Sequence, residues 1–166
     1  MLDLRCTLPS RLAAAAMLLA VAGCAGGPRV DQQPATPPPP PDAPPAVGIT
    51  AEELVGRWGL ASFHKPEDRA RTEKAAQAQC SNAYTIGRGA NGGVIMHLAD
   101  ASEPQELRLK LGTTGRNYIG PAGPAPGEQD REIVSFDGRV LVLKFVDPEV
   151  AGRYGTMVYV RCGARA

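Results

Sequence analysis

The side chains of this 166-residue chain that could do chemistry are few: His64 and His97, the cysteines at 6, 24, 80 and 162, and three carboxylates grouped at Asp100, Glu103 and Glu106. A zinc site draws three or four His, Cys or carboxylate ligands at short spacings. The two histidines have no third ligand at such a spacing, so no metal site is expected. Ser62 lies near His64, but no oxyanion motif accompanies it, so it does not read as a nucleophile. Paired carboxylates can serve as general acid and base; the three here fall among turn residues and read as a solvated turn. Gly87-Arg-Gly-Ala-Asn-Gly92 matches the G-x-G-x-x-G pattern. A dinucleotide site needs that loop to open a helix, and the following Val94-Ile-Met-His-Leu98 reads as a strand, so a glycine hairpin loop is expected. No catalytic residue and no cofactor are assigned.

The first 23 residues carry Arg5 and Arg11 and then an apolar run, Leu12 to Gly23, rich in Ala and Leu. Spanning a membrane takes roughly 20 apolar residues, so this run is too short. A basic start, a short apolar stretch and a small-residue end are the marks of an export signal, which is set aside in fold reasoning. Val21-Ala22-Gly23-Cys24 at its end resembles the bacterial lipobox. That resemblance implies cleavage before Cys24 and acylation of its thiol and amino group. It also implies the outer membrane, facing the periplasm, because Ala25 stands where an Asp would mark inner-membrane retention. Several acyl chains anchor stably, each buried CH₂ contributing about 0.8 kcal/mol.

With Cys6 lost in the signal and Cys24 lipidated, Cys80 and Cys162 remain, an even pair in an oxidising compartment, and a disulfide between them is expected. The alternative, a catalytic thiol, needs a base and a lowered pKa, and neither histidine forms a motif with either cysteine. Removing Asp3, Arg5 and Arg11 from the 18 basic and 17 acidic residues leaves 16 of each in the mature chain. There is no basic stripe, so nucleic acid is not expected as a partner.

Nine of the 18 residues from Pro28 to Pro45 are proline. Such a segment takes an extended polyproline form and builds no core. It serves as a disordered spacer of roughly 50 Å. The chain therefore divides into a signal at 1–23, a lipidated cysteine with a proline-rich linker at 24–47, and a domain at 48–166.

The domain opens with Thr50 as an N-cap for one helical turn. Gly56–Phe63 reads as a first strand. Pro66–Gln79 reads as a helix, with proline first, acids in the first turn and only alanine on its apolar face, so it should lie on the surface and cap something larger. Further strands are read at 83–87, 93–98, 105–111, 116–119, 132–136, 140–146 and 155–162. Asp137-Gly138 signals a type I′ hairpin. Gly120–Gly127 reads as a long mobile loop, placed at a barrel mouth where binding loops often lie. Eight short strands with one surface helix after the first predict a mainly β fold, a small antiparallel barrel.

Gly56-Arg57-Trp58 near the start of the first strand resembles the lipocalin and wider calycin pattern. The resemblance implies that Trp58 closes one end of the barrel and that a basic residue of the last strand, here Arg161, packs across its ring. It also resembles the small bacterial protease inhibitors of the Inh type, several of them lipoproteins. In those the two cysteines lie close in sequence, whereas Cys80 and Cys162 span the domain. Leu141, Leu143 and Phe145 alternate toward the interior, as do Met157 and Tyr159 on the face of Arg161. They are the interior or ligand-facing candidates. The expected role is non-enzymatic: an envelope lipoprotein held to the membrane by its lipid and binding a small apolar ligand or an envelope protein. The alternatives are protease inhibition and outer-membrane assembly.

Overall fold

The computed structural model describes residues 46–163. The expected export signal, Cys24 and the proline run Pro28–Pro45 lie outside the described residues. Eight antiparallel strands close into a barrel in sequence order: β1 (Gly56–Phe63), β2 (Tyr84–Arg88), β3 (Val94–His97), β4 (Pro104–Leu111), β5 (Asn117–Gly120), β6 (Arg131–Phe136), β7 (Val140–Phe145) and β8 (Thr156–Arg161). β8 returns to β1, with Trp58 opposite Arg161 and Phe63 opposite Thr156. The fold class expected from strand spacing is the one observed, with strand ends moved by a residue or two.

Alternation sets the interior. Ile86, Val94, Met96, Leu107, Ile119, Leu141 and Leu143 point inward and are fully buried. A second apolar layer lies outside the barrel. Val140, Val142, Val158 and Val160 pack with Ala76 of α2 (Arg69–Ala78). The helix read over Pro66–Gln79 is thus an α-helix between two 3₁₀ turns, Pro66–Asp68 and Gln79–Asn82. Its alanine face lets it lie close: a Cβ on Gly59 of β1 would stand 1.9 Å from the Ala76 carbonyl oxygen. β7 is therefore buried on both faces, which its run Val-Leu-Val-Leu reflects.

The Cys80–Cys162 disulfide joins the segment after α2 to the residue after β8, with Cα atoms 5.5 Å apart. Closing a loop of 82 residues lowers the entropy of the unfolded chain by an amount on the order of 4 kcal/mol.

Three local expectations are corrected. Asp137-Gly138 does not form a type I′ turn. Positive φ is confined to Gly138, and the Asp137 carboxylate instead accepts from the N–H groups of Arg139 and Val140. The gap between β7 and β8 holds a helix, α3 (Pro148–Tyr154), with Asp147 as N-cap and proline first. The loop after β5 is tied down, not mobile. Lys110 Nζ lies 2.6 Å from Asp130 Oδ1 and donates to the carbonyls of Pro121 and Pro124. Both partners are buried, and Asp130 also accepts from Gly127 N–H. All three ammonium protons find acceptors, which a buried charge requires.

Candidate functional site

The antiparallel order gives the barrel two distinct ends. One carries α1 (Ala51–Leu54) and the β2–β3, β4–β5 and β6–β7 connections. It is sealed. Thr50 and Glu53 form a reciprocal capping box that starts α1. Trp58 is fully buried, and its indole N–H donates to the Leu54 carbonyl at 2.9 Å. The Arg161 guanidinium lies 4.1 Å above the ring centroid. It donates to the carbonyls of Val55, Glu53 and Gly138, tying the end of α1 and the β6–β7 turn together. Gly56 makes room for this: its φ is +147°, and a Cβ there would stand 2.8 Å from Arg161 Nη1. The glycine, tryptophan and arginine of the sequence pattern thus meet at one place.

The same end disposes of the G-x-G-x-x-G loop. Glu106 reaches across from β4, and its carboxylate accepts from the N–H groups of Asn91 and Gly93 and from the Asn91 amide. These backbone donors, with the side-chain donors behind them, hold its pKa below 4.5. The amides that could cradle a phosphate are already filled by a carboxylate. The three carboxylates read as one solvated turn are separated: Glu106 lies here, while Asp100 pairs with Arg153 at 2.9 Å and accepts from Tyr154 near the other end.

That other end is a mouth, formed by the β1–β2, β3–β4, β5–β6 and β7–β8 connections. A cavity of about 150 Å³ opens there, lined among others by Tyr84, His97, Arg131, Phe145, Met157 and Tyr159. A groove of about 300 Å³, lined by Glu128, Asp147 and Val150 among others, shares Leu98, Asp100 and Phe145 with it. Tyr84 is held by its hydroxyl, which accepts from the backbone N–H of His97 and lies 3.3 Å from its Nδ1. Its ring meets Tyr159 edge-on at 5.8 Å. Burial pushes the Tyr159 phenol up to about 12, so it is a neutral wall at ordinary pH.

Arg131 is the residue that sequence reasoning missed. It opens β6 and is only 4% exposed. Its guanidinium lies 4.9 Å over the Phe145 ring and donates from Nη2 to the His97 carbonyl. Its buried Nε has no hydrogen-bond partner among the described residues. No spacing rule marks a lone arginine at a strand's first position.

The interior candidates divide. Leu141 and Leu143 belong to the packed core, while Phe145, Met157 and Tyr159 reach the mouth. Ser62 and His64 are exposed at the far end of β1. Among the described residues no three His, Cys, Asp or Glu side chains group so as to hold a metal ion. Comparison with protein-family models, curated proteins and solved structures finds no match.

Proposed function

We propose that this chain is a lipoprotein of the bacterial cell envelope, anchored through Cys24 at the outer membrane, whose barrel binds a small molecule with an apolar body. Its role is binding, not catalysis. The signal-like start, the lipobox-like Val21-Ala22-Gly23-Cys24 and a structural disulfide support the exported reading. A closed eight-stranded barrel with Trp58 under Arg161 supports a calycin-like relationship.

The observation that carries the binding reading is the difference between the two ends. One is plugged by Trp58 and α1; the other keeps a cavity walled by aromatic and thioether side chains. The lumen between them is filled by fully buried Leu, Ile, Val and Met side chains, so the ligand is small and sits at the mouth. Pockets of this kind, mostly apolar with a few aimed polar groups, are the usual binding sites of small molecules. The inhibitor and assembly readings draw no added support from the described residues.

The test is mass spectrometry of the chain extracted from its own membranes. The intact mass should begin at Cys24 and include its acyl chains. Under native conditions the protein should carry a small molecule that is lost on unfolding. Protein that is consistently empty would overturn the binding role, and a Cys24→Ser variant still in the membrane fraction would overturn the anchor.

A further inference from the structure

We infer that the ligand of the barrel mouth is a small carboxylate with an apolar body, its carboxylate held by Arg131 and its body by Tyr84, Phe145, Met157 and Tyr159. This rests on the mouth being the binding surface. The chain shows how it treats a buried cation it means to satisfy: Lys110, 3% exposed, has Asp130 at 2.6 Å and two carbonyls besides. Arg131 is as deeply buried and stands in no ion pair among the described residues. Among the described residues one carbonyl bond and a phenyl face support it, and Nε has no partner. A buried charge without a counter-charge is unfavourable, and a bound anion would supply one.

The cavity narrows the choice of anion. A guanidinium fork matches a carboxylate in plane and spacing. The walls beside it are rings and a thioether, which favour hydrocarbon over water. At about 150 Å³ the space suits one aromatic ring or a short branched chain, since an apolar cavity of that volume accommodates benzene. Asp100 on the rim does not compete for Arg131, because Arg153 and Tyr154 engage it.

The experiment titrates the full ¹⁵N-labelled, disulfide-bonded chain in detergent micelles with benzoate, with benzamide as its neutral isostere, and with inorganic phosphate. The readouts are the arginine Nε–H and backbone amide resonances. Benzoate should move the Arg131 Nε–H signal and the amides of Leu98 and Tyr159 together and saturably. Benzamide and phosphate should each bind roughly tenfold more weakly or worse. Arg131→Met should bring benzoate down to the level of benzamide. Benzamide within about twofold of benzoate, or benzoate binding untouched in the variant, overturns the carboxylate and leaves the mouth as an apolar site. Phosphate equal to benzoate overturns the apolar body. Silence at the mouth with every probe overturns this inference, whereas benzoate shifts mapping elsewhere overturn the mouth itself as the binding surface. The unmutated chain carries the main comparison, so a variant that fails to fold does not rescue the idea.

Discussion

Each end of the barrel stacks an arginine on an aromatic ring, and the two arginines are finished differently. At the sealed end Arg161 covers Trp58 and donates to three backbone carbonyls. At the mouth Arg131 covers Phe145 and, among the described residues, donates to one and keeps a buried Nε without a partner. The difference lies in the acceptors supplied. The last carbonyls of α1 and the β6–β7 turn converge on Arg161, which locks three segments together. Among the described residues only the His97 carbonyl accepts from Arg131. The same side chain is a structural tie where each of its nitrogens donates to a carbonyl and, in the proposed site, a receptor where they do not.

The largest effects test whether the mouth is open yet firmly built. Trp58→Ala removes the plug, and Asp130→Ala strands the Lys110 charge. Each should cost about 3–5 kcal/mol in chemical unfolding, the first through a cavity and lost burial, the second through an unpaired buried ion. If Asp130→Ala costs under about 1 kcal/mol, the β5–β6 loop is loose and the mouth has no fixed frame. The comparison would then be between a rigid end and a floppy one.

A sharper test exchanges the arginines for a hydrophobe of similar length. Arg161→Met should destabilise by about 2–4 kcal/mol, through the lost stacking and the helix-end carbonyls left without a cation. Arg131→Met should be neutral or stabilising by up to about 2 kcal/mol, because it removes an under-paired buried charge. Urea midpoints at unchanged slope report both. Equal losses would mean that Arg131 is a structural tie as well, and the contrast between the ends would collapse.

Much of this contrast was legible in the sequence on one side only. The eight strands stood out because Gly, Pro, Asn and Asp bound each apolar run. Gly56, Trp58 and Arg161 resemble a lipocalin-like pattern, so their convergence could be expected. α3 carried readable signals, with Asp147 before Pro148 and Glu149, but at seven residues it is too short to show a helical period between two strong strands. The double burial of β7 was also written in Val140–Leu143, with no polar alternation until Lys144. Nothing local announced Arg131 or the Lys110–Asp130 pair. The pair is 20 residues apart in sequence and meets only after the strands register. An inward arginine at a strand's edge looks the same, in one dimension, as an outward one. Patterns repeated across proteins were visible, and specific features of this mouth were not.

The smallest effects come from pH, and they assign a different limb of the stability curve to each end. At the sealed end the Glu106 carboxyl lies below its ordinary 4.5, chiefly through the Gly93 N–H, and Asp137 below 3.8 through the N–H groups of Val140 and Arg139. A carboxyl with a depressed pKa contributes stability above its unfolded value and loses it as pH falls through its folded one. Stability should therefore sag below pH 4.5, and Glu106→Gln should flatten part of that fall. At the mouth Tyr159 is pushed up to about 12 by burial, from 10. Its contribution is complete below pH 10 and drains away as pH rises toward 12, since the unfolded phenol ionises first. Tyr159→Phe should flatten the alkaline limb and leave the acid limb alone. Thermal unfolding across pH 2–12 for the three proteins separates the limbs. An alkaline limb unchanged in Tyr159→Phe would place the phenol in water and take away the dry wall on which the mouth's preference for an apolar body depends.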